Sequence, residues 1–236
     1  MSEPILEVAG LSAGYGRIAV LHGLDFSAYE GEIVGLVGPN GAGKSTFLET
    51  LAGTIKPRSG SILFGGRRIE GRSILKRRRA GLMLVPQDQY VFPLMSVKAN
   101  LDMGGLFNRP DKNRELEDLV RQLFPILEER HSQMAGTMSG GQQKMLAVAM
   151  GIMSEAKVLL IDEPSIGLAP QLVTRLFEVL KRFKDETGKT LILAEQNIKI
   201  LNIADRIYGL EAGQFRFRDK TTNLDENAVR DLFMGE

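Results

Sequence analysis

Residues 38–46 carry the pattern G-x-x-x-x-G-K-[ST], which is the spacing of a phosphate-binding loop. The stretch reads Gly38, Pro39, Asn40, Gly41, Ala42, Gly43, Lys44, Ser45 and Thr46. An apolar run precedes it and a helix-forming run follows it, so backbone N–H groups and a helix dipole can meet an anion at the turn. Lys44 can reach the β- and γ-phosphates, and the Ser45 hydroxyl can ligate Mg²⁺. The stretch therefore predicts binding of a nucleoside triphosphate, the alternative being a glycine-rich turn that binds nothing.

Two carboxylates end a second apolar run. Asp162 and Glu163 follow the residues Val-Leu-Leu-Ile at 158–161. Carboxylates at the end of a buried strand are costly unless a metal ion or water meets them. We expect Asp162 to hold Mg²⁺ and Glu163 to accept a proton from the water that attacks the γ-phosphate. An ordinary exit from strand to loop is the alternative.

Two single residues are weaker candidates. Gln87 follows the apolar run 82–85, and the carboxyl ends of parallel strands are where open α/β sheets bind ligands. It could contact Mg²⁺ or water at the γ-phosphate, or be an ordinary polar loop residue. Tyr15 stands between two glycines, in what we predict to be a turn at residues 14–16. Its ring could stack on adenine or be a surface tyrosine.

A second helix start carries an anion-binding pattern. It consists of Ser139, Gly140, Gly141 and Gln142, followed by a helix-forming stretch at 144–153. A hydroxyl, free N–H groups and the positive end of a helix dipole then occur together. The pattern fits either a second anion site or a simply capped helix.

Composition limits the function classes. The chain has 236 residues and a net charge of +1, without the basic excess of most nucleic-acid-binding proteins, so no nucleic-acid partner is expected. It has no cysteine, which excludes disulfides and thiolate metal sites. No signal peptide and no membrane-spanning run is predicted. Any role at a membrane would then depend on a partner.

The patterns alternate between strands and helices, so an α/β fold is expected. The whole chain, 1–236, is predicted to be one domain, with residues 91–155 forming a mostly helical insert. Leucines and a valine at helical spacing over 116–127 predict a helix in this insert, which Pro125 bends or divides. Residues 206–210 and 214–217 are expected to be edge strands, and 225–234 a terminal helix. The basic run at 76–79 is expected to be a solvated helix face, with contact to an acidic partner or lipid as the alternative.

Taken together, these motifs resemble the ATPase subunits of ABC transporters over nearly the whole chain. Tyr15 matches the adenine-stacking aromatic, residues 38–46 the Walker A motif, Gln87 the Q-loop, and Ser139-Gly140-Gly141-Gln142 the family signature. Asp162 and Glu163 match Walker B, and residues 165–170 the D-loop. Within the family, residues 91–93, 165–170 and 193–197 resemble the second (F-type) ATPase of branched-chain amino-acid importers, and related amide and urea importers share much of this pattern.

The resemblance implies a P-loop NTPase fold of the RecA-like type. This has a mostly parallel sheet, an N-terminal antiparallel β subdomain and a helical insert. It also implies hydrolysis of ATP with Mg²⁺, and a head-to-tail pair with a second ATP-binding subunit, identical or different. Each ATP would lie between one Walker A motif and the other subunit's signature. Separate transmembrane permease subunits, and indirectly a substrate-binding protein, would place the chain at the cytoplasmic face of the membrane.

Two departures from the family pattern stand out. Met138 occupies the place where the signature usually has leucine, a swap of similar volume. Gln196 stands in place of the usual switch histidine; it can hydrogen-bond a γ-phosphate but carries no charge. A non-hydrolysing regulatory subunit therefore stays open, as do a nucleic-acid- or ribosome-linked ATPase of the same type and a P-loop kinase of small molecules.

Overall fold

The computed structural model describes residues 3–88 and 90–224, and two β-sheets form its framework. The first sheet is antiparallel, with strand order β2-β1-β4-β5. Its strands are β1 (Leu6–Tyr15), β2 (Ile18–Ala28), β4 (Ser59–Phe64) and β5 (Arg67–Arg68). This is the antiparallel β part that the sequence predicts.

The second sheet carries the apolar strands and has the order β10-β9-β3-β8-β7-β6. Its strands are β3 (Ile33–Val37), β6 (Leu82–Val85), β7 (Val158–Asp162), β8 (Thr190–Glu195), β9 (Arg206–Glu211) and β10 (Gln214–Lys220). The pairs from β9 to β6 are parallel, whereas β10 is antiparallel to β9. Every residue of β3, β7 and β8 is buried, as expected of strands covered on both faces.

Seven α-helices are described. They are α1 (Lys44–Ala52), α2 (Ile74–Ala80), α3 (Val97–Gly104), α4 (Pro110–Leu123), α5 (Pro125–Glu129), α6 (Gly140–Met153) and α7 (Pro170–Thr187). Pro125 begins α5 directly after the end of α4, so it divides the predicted helix. Helices α3 to α6 lie between β6 and β7 along the chain. That residues 91–155 form a helical subdomain within a single domain stays a prediction. No helix within 3–88 and 90–224 has the length and apolarity needed to span a bilayer.

Aromatic rings join the two sheets. Phe26 of β2 and Phe47 of α1 contact Tyr208 of β9 or Phe215 of β10 with ring centroids 4.5–6.4 Å apart. They belong to a hydrophobic core between the first sheet, α1 and the central sheet. A second core covers the opposite face, where α6 and α7 pack on the sheet. The central sheet is thus held rigidly from both sides, which fixes the positions of its strand ends.

The structure corrects two strand predictions. Residues 14–16 are not a turn: Gly14 and Tyr15 end β1, and the turn follows at 16–17. Gly14 is needed there because a Cβ would lie 2.2 Å from the carbonyl oxygen of Ile18. Strand β9 is not an edge strand, since it pairs with both β3 and β10. The terminal helix predicted at 225–234 lies outside the described residues.

The basic run is not uniformly a solvated helix face. Arg77 is buried, with 1% of its surface exposed. Its guanidinium donates to the carbonyls of Thr50 and Leu51 in the last turn of α1, at 2.8 and 2.7 Å, and to those of Glu70 and Arg72. Helix C-termini leave such carbonyls unpaired and favour a cation. Arg77 therefore caps the helix that follows the phosphate-binding loop.

Candidate functional site

The phosphate-binding loop connects β3 to α1. Gly43 precedes the helix with φ of 107°, a conformation that disfavours other residues. Lys44 opens the helix with only 4% of its surface exposed. Its Nζ atom donates to the carbonyls of Gly38 and Pro39 at 2.9 and 3.1 Å, so the loop folds around the ammonium group. The positive charge is fixed at the centre of the loop.

The strand order explains why distant residues meet here. Strand β8 lies between β3 and β7, and all three run in parallel. Their carboxyl ends therefore meet at one edge of the sheet, where open α/β sheets bind ligands. Lys44 follows the end of β3, Asp162 ends β7 and Glu195 ends β8.

Asp162 is a buried carboxylate whose surroundings fit a divalent cation. It is 6% exposed, and its Oδ1 atom has no hydrogen-bond partner. Burial, opposed by the hydrogen bond from Ser45 and by the charge of Lys44 and aided by the charge of Glu163, raises the pKa of Asp162 to about 6. A buried, unpaired carboxylate oxygen beside a serine hydroxyl is a donor set that Mg²⁺ prefers. Two of the three residues predicted for magnesium, Ser45 and Asp162, therefore lie together.

Glu163 is held by three groups. Its backbone has φ of 44°, unusual for a residue with a side chain, and its N–H donates to the carbonyl of Ala194 at 2.9 Å. Its Oε1 atom accepts a hydrogen bond from Nε2 of Gln196 at 2.7 Å and lies 3.2 Å from Nζ of Lys44. A left-handed backbone at a non-glycine residue costs about 1–3 kcal/mol, and such strain concentrates at functional sites. The geometry aims this carboxylate at the phosphate-binding loop.

Gln196 bridges the two motifs. Its Nε2 atom also donates to Oδ1 of Asn40, at 2.6 Å. One amide thus contacts both the carboxylate of Glu163 and the tip of the phosphate-binding loop. A hydrogen bond from Gln196 to a γ-phosphate stays a prediction.

A cavity of about 390 Å³ opens beside these groups. Its lining includes most of the predicted nucleotide-binding residues: Tyr15, Asn40, Gly41, Gly43, Lys44, Ser45, Thr46, Gln87 and Glu163. Tyr15 is 52% exposed, and its hydroxyl donates to Oε2 of Glu49 at 2.8 Å. The hydroxyl of Tyr15 is thereby anchored while half of the residue faces solvent, which leaves the stacking role a prediction.

The signature residues Ser139, Gly140, Gly141 and Gln142 do not line this cavity. Ser139 and Gln142 instead form a capping box: Oγ of Ser139 accepts from the N–H of Gln142 at 3.3 Å, and Oε1 of Gln142 accepts from the N–H of Ser139 at 3.1 Å. Within one chain, the pattern is therefore a capped helix start. Its anion-binding role stays a prediction that requires a second subunit.

Glu195 belongs to the site, although no sequence motif marks it as a site residue. It is 1% exposed and accepts hydrogen bonds from the loops after both β7 and β8. The apolar residues before Glu195 in the sequence predict a strand that ends there, and nothing more. The carboxylate at that position, next to Gln196, was the available signal.

Three comparisons with known proteins agree. The family model described as ABC transporter matches residues 21–166. The high-affinity branched-chain amino acid transport ATP-binding protein BraG of Pseudomonas aeruginosa is 44% identical over 95% of this chain and 97% of its own length. A probable branched-chain amino acid transport ATP-binding protein, LivF of Archaeoglobus fulgidus, is 31% identical over 94% and 95%. The solved structure of cbiO1 from Clostridium perfringens, part of an ABC transporter complex, has a TM-score of 0.84 at 28% identity, covering 99% of this chain and 96% of that one.

Proposed function

Because the chain belongs to the ATP-binding proteins of the ABC transporter family, we propose that it hydrolyses ATP to drive uptake of branched-chain amino acids or a related amino acid or amide. The observation that carries the activity is the meeting of Lys44, Asp162, Glu163 and Gln196 beside one cavity. The substrate class rests on the likeness to BraG and LivF, whose names state branched-chain amino acid transport.

The contacts of these side chains support a role for each of them. Lys44 would exchange its contact with Glu163 for the β- and γ-phosphates, which carry more negative charge. Ser45 and Asp162 would hold Mg²⁺, with Gln87 at the edge of the same cavity. The ion would neutralise phosphate charge. Glu163 would accept the proton of the attacking water, and Gln196 would keep that carboxylate oriented through the contact at 2.7 Å.

The position of the signature residues supports the proposed partner subunits. Ser139 and its neighbours lie away from the chain's own triphosphate cavity, so a second ATP-binding subunit, identical or different, would supply them to this one. ATP would then join two subunits and its hydrolysis would release them, because the nucleotide has higher affinity for the closed pair. Transmembrane permease subunits would receive this motion at the cytoplasmic face, with a substrate-binding protein delivering the amino acid.

Replacement of the general base tests the hydrolytic assignment. Glu163→Gln should retain ATP affinity within about threefold and lower turnover by about 100-fold or more, because the amide cannot accept the proton. Glu178→Gln, on the exposed face of α7, is the matched control and should leave turnover unchanged. Turnover of Glu163→Gln close to that of the unmodified protein would refute the general-base role. Full activity in excess chelator would contradict the assignment of Ser45 and Asp162 to Mg²⁺.

Co-expression with candidate membrane subunits tests the transport assignment. In vesicles with the ATP-binding subunits facing the interior and the substrate-binding protein outside, uptake of leucine, isoleucine or valine should require ATP in the interior. The Glu163→Gln complex should take up none. Uptake of sugars, but not of amino acids or amides, would contradict the proposed substrate class. Phosphate transfer to a small molecule without transport would favour the kinase alternative.

A further inference from the structure

Glu195 is a buried carboxylate for which the proposed reaction has no step. It ends β8 with 1% of its surface exposed. Its oxygens accept four hydrogen bonds. Oε1 accepts from the N–H of Ser165 at 2.9 Å, and Oε2 accepts from the Ser165 hydroxyl at 2.7 Å and from the N–H groups of Gln196 and Asn197 at 3.2 and 3.3 Å.

All four partners are donors, which explains the residue type. An ionised carboxylate is an acceptor at both oxygens, whereas an amide or a protonated carboxyl group places a donor against one of these donors. Burial raises the pKa of Glu195, and the hydrogen bonds from Ser165, Asn197 and Gln196 oppose that rise. A buried charge so fully paired is costly to disturb.

The four bonds connect two loops that carry the reacting groups. Ser165 lies two residues after Glu163, and Gln196 directly follows Glu195. Through them the carboxylate fixes the start of both loops, and the side chains of Glu163 and Gln196 then meet at 2.7 Å. A displacement of about 1 Å at a reacting group can cost about 100-fold in rate.

We propose that Glu195 is a positioning residue that holds the Ser165 and Gln196 loops so that Gln196 orients the carboxylate of Glu163. The inference rests on the proposed role of Glu163 as general base. It predicts a loss of turnover without a loss of ATP binding, because Glu195 does not line the triphosphate cavity.

A double-mutant cycle with Gln196 tests the proposal in the full-length chain with its cognate subunit. Single-turnover rates of ATP hydrolysis, followed over hours so that slow variants still give a value, are measured for Glu195→Gln, Gln196→Ala and the double variant. We expect Glu195→Gln to lower the rate by about 10-fold or more, with ATP affinity within about twofold. In the Gln196→Ala background the same change should cost less than about threefold, because its route of action is gone.

Three results overturn the proposal: an unchanged rate for Glu195→Gln, an equal loss in both backgrounds, or a loss of rate matched by loss of ATP affinity. If Glu195→Gln does not fold, Ser165→Ala takes its place in the cycle, since it removes one hydrogen bond and keeps the charge. Glu163→Gln is measured in parallel. Full turnover of that variant refutes the general base itself, whereas its inactivity beside a fully active Glu195→Gln refutes only the role of Glu195.

Discussion

Asp162→Asn should stabilise the nucleotide-free protein at neutral pH while abolishing its magnesium-dependent activity. Burial raises the pKa of Asp162 to about 6 from an ordinary value of 3.8. The folded chain therefore disfavours the ionised carboxylate that would bind Mg²⁺. Replacing it with a neutral side chain of the same shape removes that cost, as expected where function requires a locally unfavourable group.

The magnitude follows from the shift. About two pKa units correspond to about 3 kcal/mol between the two protonation states. Because the folded pKa is the higher one, the cost is absent below the unfolded pKa, grows as the pH rises through both values, and is complete above about pH 7. Asparagine leaves an unpaired buried amide at a cost of about 1–2 kcal/mol, so the net gain at pH 7.5 should be about 1–2 kcal/mol.

Denaturant unfolding in chelator, without nucleotide, measures this effect. The stability of Asp162→Asn relative to the unmodified protein should increase by about 2 kcal/mol between pH 4.5 and pH 7.5, while groups that titrate in both proteins cancel. Asp118→Asn, at a side chain 67% exposed, controls for the loss of one charge and should change stability by less than about 0.5 kcal/mol. A difference that stays flat with pH, or that grows toward acid, would refute the reasoning.

Two further substitutions probe the supports of the phosphate-binding loop. Arg77→Met should lower the unfolding free energy by about 2–4 kcal/mol because it leaves four backbone carbonyls without their donor. Arg79→Met, at the exposed neighbouring residue, should lower it by less than about 0.5 kcal/mol. Equal losses for the two variants in denaturant unfolding would contradict the capping role of Arg77. Gly38→Ala would place a Cβ 2.1 Å from the carbonyl oxygen of Leu210 and should destabilise the apo protein by about 2 kcal/mol or more. The added methyl group of Gly41→Ala meets no atom within 4 Å, so this variant should lose only about 1 kcal/mol, because alanine disfavours the left-handed backbone at that position. A similar melting temperature for the two variants would be evidence against the close approach of residue 38 to Leu210.

The features that could be predicted from the sequence depend on residues close together in the chain. The apolar runs ending at Val37, Val85 and Asp162 are strands, and the motifs at their ends line one cavity, as the spacing indicated. Helix capping at Ser139 and the division at Pro125 are likewise local, since each depends on residues within one turn. These features are decided by backbone geometry that neighbouring residues impose.

What the sequence left open depends on contacts between distant segments. The burial of Arg77 requires the end of α1, 26 residues earlier in the chain. Strand β9 lies inside the sheet because the chain returns beside β3 and pairs with it. No pattern within residues 206–210 indicates which strands will lie next to them. The role of Glu195 arises from a serine 30 residues away. The hydrophobic periodicity of a sequence describes one helix or strand at a time. It does not indicate which distant segments will contact each other.

The ion pair between Lys44 and Glu163 has a consequence for the resting enzyme. The two groups lie 3.2 Å apart and both are nearly excluded from solvent. While they remain paired, the ammonium group competes with water for Oε1 of Glu163. On the proposed mechanism, an incoming triphosphate would draw the ammonium group away from Glu163. The same movement would free the proposed base, so binding of the substrate would itself prepare the carboxylate for the reaction.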